Sequence, residues 1–127
     1  MRILLIDDDA SVLENLALYL GETRKVETLT HVANQEALQE VLARFEPDEV
    51  LLDYGMERLG TELYSWIRAE RPAVAIVFYT KYAHGQERAK MRRVGARDRE
   101  IIDKQEVGQD LEAILTALHQ AALARPE

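Results

Sequence analysis

The chain contains no cysteine, which excludes disulfides, thiolate metal sites and thiol catalysis. It also lacks any run approaching the roughly 18 apolar residues that a membrane span needs. The opening Met1-Arg2-Ile3-Leu4-Leu5-Ile6 is apolar over too few positions for a signal peptide, and three aspartates follow at once. An excess of positive charge is missing too. The formal net charge of −7 argues mildly against nucleic acid as the main partner of the surface. No repeat, low-complexity segment or interior linker is evident in the 127 residues, which fit one domain, 1–127, and leave little room for a second. What is present is an apolar fraction of 47%, enough for a sizeable core, and an ordinary share of charge. These features predict a soluble, cytoplasmic protein.

Short apolar runs alternate with longer periodic ones. Arg2 to Ile6 reads as a buried strand, because a parallel strand covered on both faces is apolar without alternation. Ala10 to Leu20 places Val12, Leu13, Leu16, Ala17 and Leu20 at helical spacing, with Gly21 as its stop. Val26 to Val32 reads as a second, looser strand. Gln35 to Phe45 is a helix closed by Pro47, and Val50-Leu51-Leu52 a third strand ending at Asp53. A loop holding Gly55 and Gly60 leads to a helix over about Thr61 to Ala69. Ala73 to Tyr79 is a fourth strand, His84 to Val94 a helix closed by Gly95, Ile101-Ile102 a short fifth strand, and Leu111 to Leu123 a last helix. Strands alternating with helices require parallel pairing and right-handed crossovers, hence a doubly wound three-layer α/β/α sandwich.

Ligands of open α/β sheets bind beyond the carboxyl ends of the strands. Asp7, Asp8 and Asp9 stand at that end of the first strand, Asp53 of the third and Thr80 of the fourth, with Lys104 just after the fifth. Taken singly, each has an ordinary explanation. Asp9, followed by Ala10 and Ser11, suits a helix N-cap better than a ligand position. An aspartate after a strand is usual turn chemistry, and a lone lysine is usually a solvated one. Together they describe a specific chemistry. Clustered carboxylates are tolerated where a cation binds, and Mg²⁺ takes oxygen ligands while keeping waters that a phosphate can replace. A carboxylate there can attack phosphorus, while Lys104 supplies positive charge and Thr80 a hydroxyl to a phosphate oxygen.

These residues resemble the receiver domains of response regulators in two-component signalling, over essentially the whole chain. Ile3-Leu4-Leu5-Ile6-Asp7-Asp8-Asp9 is similar to that family's first strand and acidic pair, and Leu51-Leu52-Asp53-Tyr54-Gly55-Met56 to its third strand and phosphorylated aspartate. Val77-Phe78-Tyr79-Thr80 is similar to the fourth strand with its switch hydroxyl, and Gly95-Ala96 and Lys104 take their expected places. The resemblance implies a flavodoxin-like sheet of order 2-1-3-4-5 and Mg²⁺ held by Asp7, Asp8, Asp53 and the Gly55 carbonyl. It further implies a phosphoryl group accepted by Asp53, with Thr80 and Lys104 as its other partners. A histidine kinase or phosphotransfer protein would be the donor. A downstream protein, or an output domain lost from this chain, would be the recipient of the signal. The face made by the fourth helix, fifth strand and final helix would switch, and could also carry a homodimer. Beyond accepting and losing its own phosphate, the chain is expected not to be an enzyme.

The chain departs from the pattern at several positions. Gln105 follows Lys104 where proline is usual, Ile101 replaces the switch aromatic, Lys81 follows Thr80 where a small residue is usual, and Glu57 stands in place of proline. Arg97-Asp98-Arg99-Glu100 makes the approach to Lys104 about two residues longer than the pattern. Tyr82, two past Thr80, is either placed over the phosphoryl group or is an ordinary loop tyrosine. From Lys81 to Lys104 there are eight basic residues against four acidic, a docking face for an acidic partner or a solvated helix face. His31, His84 and His119 show no metal spacing, and Leu63, Tyr64 and Trp66 read as helix packing. Two other functions compete with the phosphoacceptor. One is a pseudo-receiver that acts as a phosphorylation-independent interaction or dimerisation module. The other is a small phosphatase of the haloacid dehalogenase type, suggested by the Asp-x-Asp within Asp7-Asp8-Asp9.

Overall fold

The computed structural model describes residues 1–56, 59–107 and 110–124, so the proline replacement at Glu57 lies outside the described residues. Five strands form one parallel sheet: β1 (Arg2–Ile6), β2 (Lys25–Leu29), β3 (Glu49–Leu52), β4 (Ala75–Thr80) and β5 (Ile101–Asp103), in the order β2-β1-β3-β4-β5. The helices are α1 (Ala10–Leu20), α2 (Gln35–Phe45), α3 (Gly60–Glu70), α4 (Gly85–Arg93), a four-residue α5 (Lys104–Val107) and α6 (Leu111–Ala124). The doubly wound sandwich read from the sequence is the observed architecture.

The apolar runs explain the layers. In β1, β3 and β4, successive side chains point to opposite faces and both faces are covered, so alternation disappears. Leu4, Ile6, Val50, Leu52, Ile76 and Phe78 pack beneath Leu38 and Leu42 of α2, Leu63 and Ile67 of α3, and Met91 of α4. The intervening Ile3, Leu5, Leu51, Val77 and Tyr79 pack beneath Leu13 and Leu16 of α1 and Ile114 and Leu118 of α6. Leu63 and Tyr64 are buried and Trp66 packs against the same core, as expected for helix packing.

Most expected boundaries shift by a residue or two, β4 for instance running over Ala75–Thr80 rather than Ala73–Tyr79, and two departures have clear physical reasons. β2 ends at Leu29 rather than Val32, because Leu29 pairs with Ile6, the last residue of β1; the chain then turns toward Asn34, which caps α2 through its Oδ1. The longer approach to Lys104 is absorbed by a 3₁₀ turn over Asp98–Glu100, whose buried Glu100 accepts a hydrogen bond from the Arg97 N–H at 2.8 Å.

Glu49, at the start of β3, is 1% exposed, and its Oε2 has no hydrogen-bond partner among the described residues. Burial pushes its carboxyl above the ordinary 4.5, only partly offset by Arg24. A raised folded-state value means that stability is fully present below 4.5 and is lost as pH rises through the folded value. Glu49→Gln removes that loss. Thermal melts should show the variant gaining about 1 kcal/mol or more at pH 8, an amount set by the cost of an unsatisfied buried group, and nothing at pH 4. An equal shift at both pH values would contradict this.

Candidate functional site

The carboxyl ends of β1, β3, β4 and β5 meet at one rim because the strands run parallel in register. Ile6 pairs with Leu52, Leu52 with Phe78, and Thr80 with Asp103. The residue following each run is therefore delivered to the same edge. Asp53 is fixed there by its own N–H, which donates to the Ile6 carbonyl at 2.9 Å. Asp7 is fixed likewise by donation to the Leu29 carbonyl at 3.1 Å.

Asp7 and Asp53 are buried and Asp8 is exposed, and carboxylate oxygens of all three lie within 4.8 Å of one another. Lys104 enters from the far edge of the sheet. Its Nζ is 2.6 Å from Asp7 Oδ2 and 3.8 Å from Asp53 Oδ2, joining residues 97 apart in sequence. Burial pushes the Asp53 carboxyl above its ordinary value; Lys104 opposes the rise, and Asp7 adds to it. Burial lowers the Lys104 ammonium, but the Asp7 hydrogen bond and the Asp53 charge outweigh this and hold it above its ordinary value. The donors are hard carboxylate oxygens, with Asp8 exposed to solvent, a set that fits Mg²⁺.

The remaining predicted residues surround this cluster. Thr80 is fully buried at the end of β4, and its Oγ1 accepts from the Tyr82 N–H at 3.1 Å. The Gly55 N–H donates to Asp53 Oδ1 at 3.3 Å. The approach here is close: a Cβ at Gly55 would sit 2.3 Å from the Tyr82 ring, which would have to shift. Tyr82 therefore lies against the loop that follows Asp53, edge-on to Tyr54 with ring centroids 6.1 Å apart. Gly60 is the firmer constraint, since a Cβ there would meet fixed backbone, the Tyr54 Cα at 2.6 Å and the Asp53 carbonyl at 2.7 Å. Asp9 is not brought into the cluster by its own side chain; it caps α1, accepting from Ser11 and Val12 N–H groups. Lys81 is exposed, with its ammonium 5.4 Å above the Tyr82 ring.

Two features escape sequence spacing. The Lys104 ammonium stands 5.2 Å over the ring of Tyr79, a residue legible only as a core strand position. His84, one of the histidines without metal spacing, lies 2.7 Å from Asp103 Oδ2 across 19 residues. The basic stretch is also partly spent within the chain: Arg88 donates to the Ala83 carbonyl at 3.0 Å and to Asp98 Oδ1 at 3.1 Å.

The site's setting is shared with known proteins. The model of the response regulator receiver domain matches residues 3–116. A protein-glutamate methylesterase/protein-glutamine glutaminase of Cereibacter sphaeroides is 33% identical over 138 residues, spanning 99% of this chain and 37% of that protein. This chain thus spans little more than a third of the length of that relative. The N-terminal signal receiver domain of a Bacteroides fragilis response regulator superposes with a TM-score of 0.77 at 28% identity, over 95% of each chain. The response regulator domain of Thermotoga maritima CheB gives 0.77 at 21% identity, over 99% of this chain and 98% of that one, a likeness of fold. Among the described residues no helix is long and apolar enough to cross a membrane. With the family model covering nearly all of the sheet and helices described above, the chain belongs to the response regulator receiver domain family.

Proposed function

We propose that this chain, as a single receiver unit over residues 1–127, is a cytoplasmic phosphoacceptor switch in which Asp53 takes a phosphoryl group from a histidine kinase or phosphotransfer protein. The observation that carries this reading is the Lys104 ammonium lying 2.6 Å from Asp7 and 3.8 Å from Asp53 in a buried acidic cluster. An Asp53 carboxylate oxygen attacks phosphorus, the bond from phosphorus to the donor breaks, and an acyl phosphate forms on Asp53. Lys104 neutralises charge on the transferred group, and the Thr80 hydroxyl, released from the Tyr82 N–H, donates to one of its oxygens. Asp7, Asp8, Asp53 and the Gly55 carbonyl would hold Mg²⁺, which when bound supplies further neutralisation of phosphate charge. The chain has no catalytic role beyond gaining and losing this group. The new dianion biases the face formed by α4, β5 and α6, which passes the signal to a partner protein, a second copy or a further domain.

Reduction with borohydride after phosphorylation tests the assignment, because an acyl phosphate on Asp53 is converted to homoserine. Peptide sequencing should find homoserine at position 53, and its appearance elsewhere would overturn the reading. A phosphorylation-independent interaction module is the second reading. Ile101 favours it: this residue is buried in the core at the position of the family's switch aromatic, so no ring can rotate there.

Tyr82 covers the loop beside Asp53 and restricts water approaching the acyl phosphate. Tyr82→Ala should shorten the phosphoryl half-life several-fold, measured by loss of the phosphorylated mass over time. An unchanged half-life would make Tyr82 an ordinary loop residue.

A further inference from the structure

His84, the residue preceding α4, and Asp103, the last residue of β5, come together because β4 and β5 pair in register at Thr80 and Asp103. The His84 imidazole Nε2 lies 2.7 Å from Asp103 Oδ2. The other Asp103 oxygen, Oδ1, accepts the Gln105 N–H at 2.8 Å, which fixes the carboxylate and leaves Oδ2 directed at His84. Glu106, on α5, adds a third donor: atoms of His84, Asp103 and Glu106 all lie within 4.8 Å of one another. A histidine–aspartate pair needs no second acid. Glu106 instead brings a second carboxylate oxygen within reach of the imidazole nitrogen, so that three metal-type donors converge on one point.

We propose that His84, Asp103 and Glu106 bind a divalent transition metal ion of the zinc class, at a site separate from the Asp7–Asp8–Asp53 cluster. One imidazole nitrogen and two carboxylate oxygens form a borderline donor set that suits Zn²⁺ and disfavours Mg²⁺. Asp103 is buried and held by backbone, while His84 and Glu106 are exposed, so the fourth coordination position is open to water. With no cysteine in the chain, no thiolate site competes for the ion. The bound ion ties the start of α4 to the end of β5, one residue before Lys104.

Calorimetric titration of the full chain with Zn²⁺, in excess Mg²⁺, tests this. One equivalent should bind, at least about tenfold more weakly in His84→Ala and in Glu106→Gln, a loss of the size metal sites show on weakened ligation. Asp7→Asn should bind as the parent does, and the His84 ring nitrogens should shift in ¹⁵N spectra on Zn²⁺ addition. Both weakening substitutions fall on exposed side chains, and unchanged thermal melting without Zn²⁺ would establish that the fold is retained. No binding by the parent chain would overturn the site, as would equal affinity in His84→Ala or loss of binding in Asp7→Asn.

Discussion

Lys104→Met should slow phosphorylation of Asp53 by about 10²–10³-fold, the range found when one preorganised charge-stabilising donor is removed. The ammonium contacts Asp7 at 2.6 Å and stands 3.8 Å from Asp53, so its loss acts in two ways. The transferred phosphoryl group loses a positive partner. Asp53 also loses the charge that opposes its upward displacement by burial and by Asp7. Its carboxyl then rises further, and the ascending limb of the rate against pH should move to higher pH, because only the ionised carboxylate attacks. Stability should fall as well, by about 3 kcal/mol, the low end for breaking a buried pair, since the Lys104 side chain keeps 20% exposure. The Lys104 ammonium is raised in the fold, so its contribution is full at neutral pH and lost only as pH climbs through that raised value. Rates of acetyl phosphate transfer across pH, beside urea melts, would measure both effects. A variant with the parent's rate and pH profile would remove Lys104 from the mechanism.

Stripping Mg²⁺ should lower the melting temperature by roughly 10 °C when the starting concentration is about 100 times Kd, since such binding contributes about 2.7 kcal/mol. The buried carboxylates give this prediction its pH dependence. Asp53 is raised above its ordinary 3.8, chiefly by burial, so metal-free protein is fully stable in this respect below 3.8 and loses stability as pH rises through the folded value. A cation between the carboxylates removes that penalty. Melts with and without chelator should therefore diverge as pH rises, and Asp7→Asn should abolish most of the difference. Curves that coincide at pH 8 would contradict the metal assignment.

The fold was legible where burial on both faces leaves a continuous apolar run, as in β1, β3 and β4. It was less legible at the half-exposed edge, where Thr30 and Val32 look like strand residues but leave the sheet after Leu29. The turn α5 has no apolar periodicity to announce it, because Lys104-Gln105-Glu106-Val107 is mostly polar. The rim residues Asp7, Asp53, Thr80 and Lys104 could be collected in advance, because strand ends in a parallel sheet share one edge. Which of them touch could not. The Lys104–Asp7 contact depends on how the sheet carries β5 across to β1, and the His84–Asp103 pair on the β4–β5 register and the turn after β4, and neither leaves a periodic trace. Asp9 shows the opposite case: its place before Ala10 and Ser11 announced a cap, and a cap is what it forms.

Intact-mass analysis after incubation with acetyl phosphate and Mg²⁺, beside an Asp53→Asn control, tests the phosphoacceptor account most directly. One added phosphoryl group is expected on the parent chain, none on the Asp53→Asn chain, and none on either when Mg²⁺ is withheld. An adduct that persists in Asp53→Asn would contradict it, and so would a parent chain that stays unmodified with both acetyl phosphate and a histidine-phosphorylated donor.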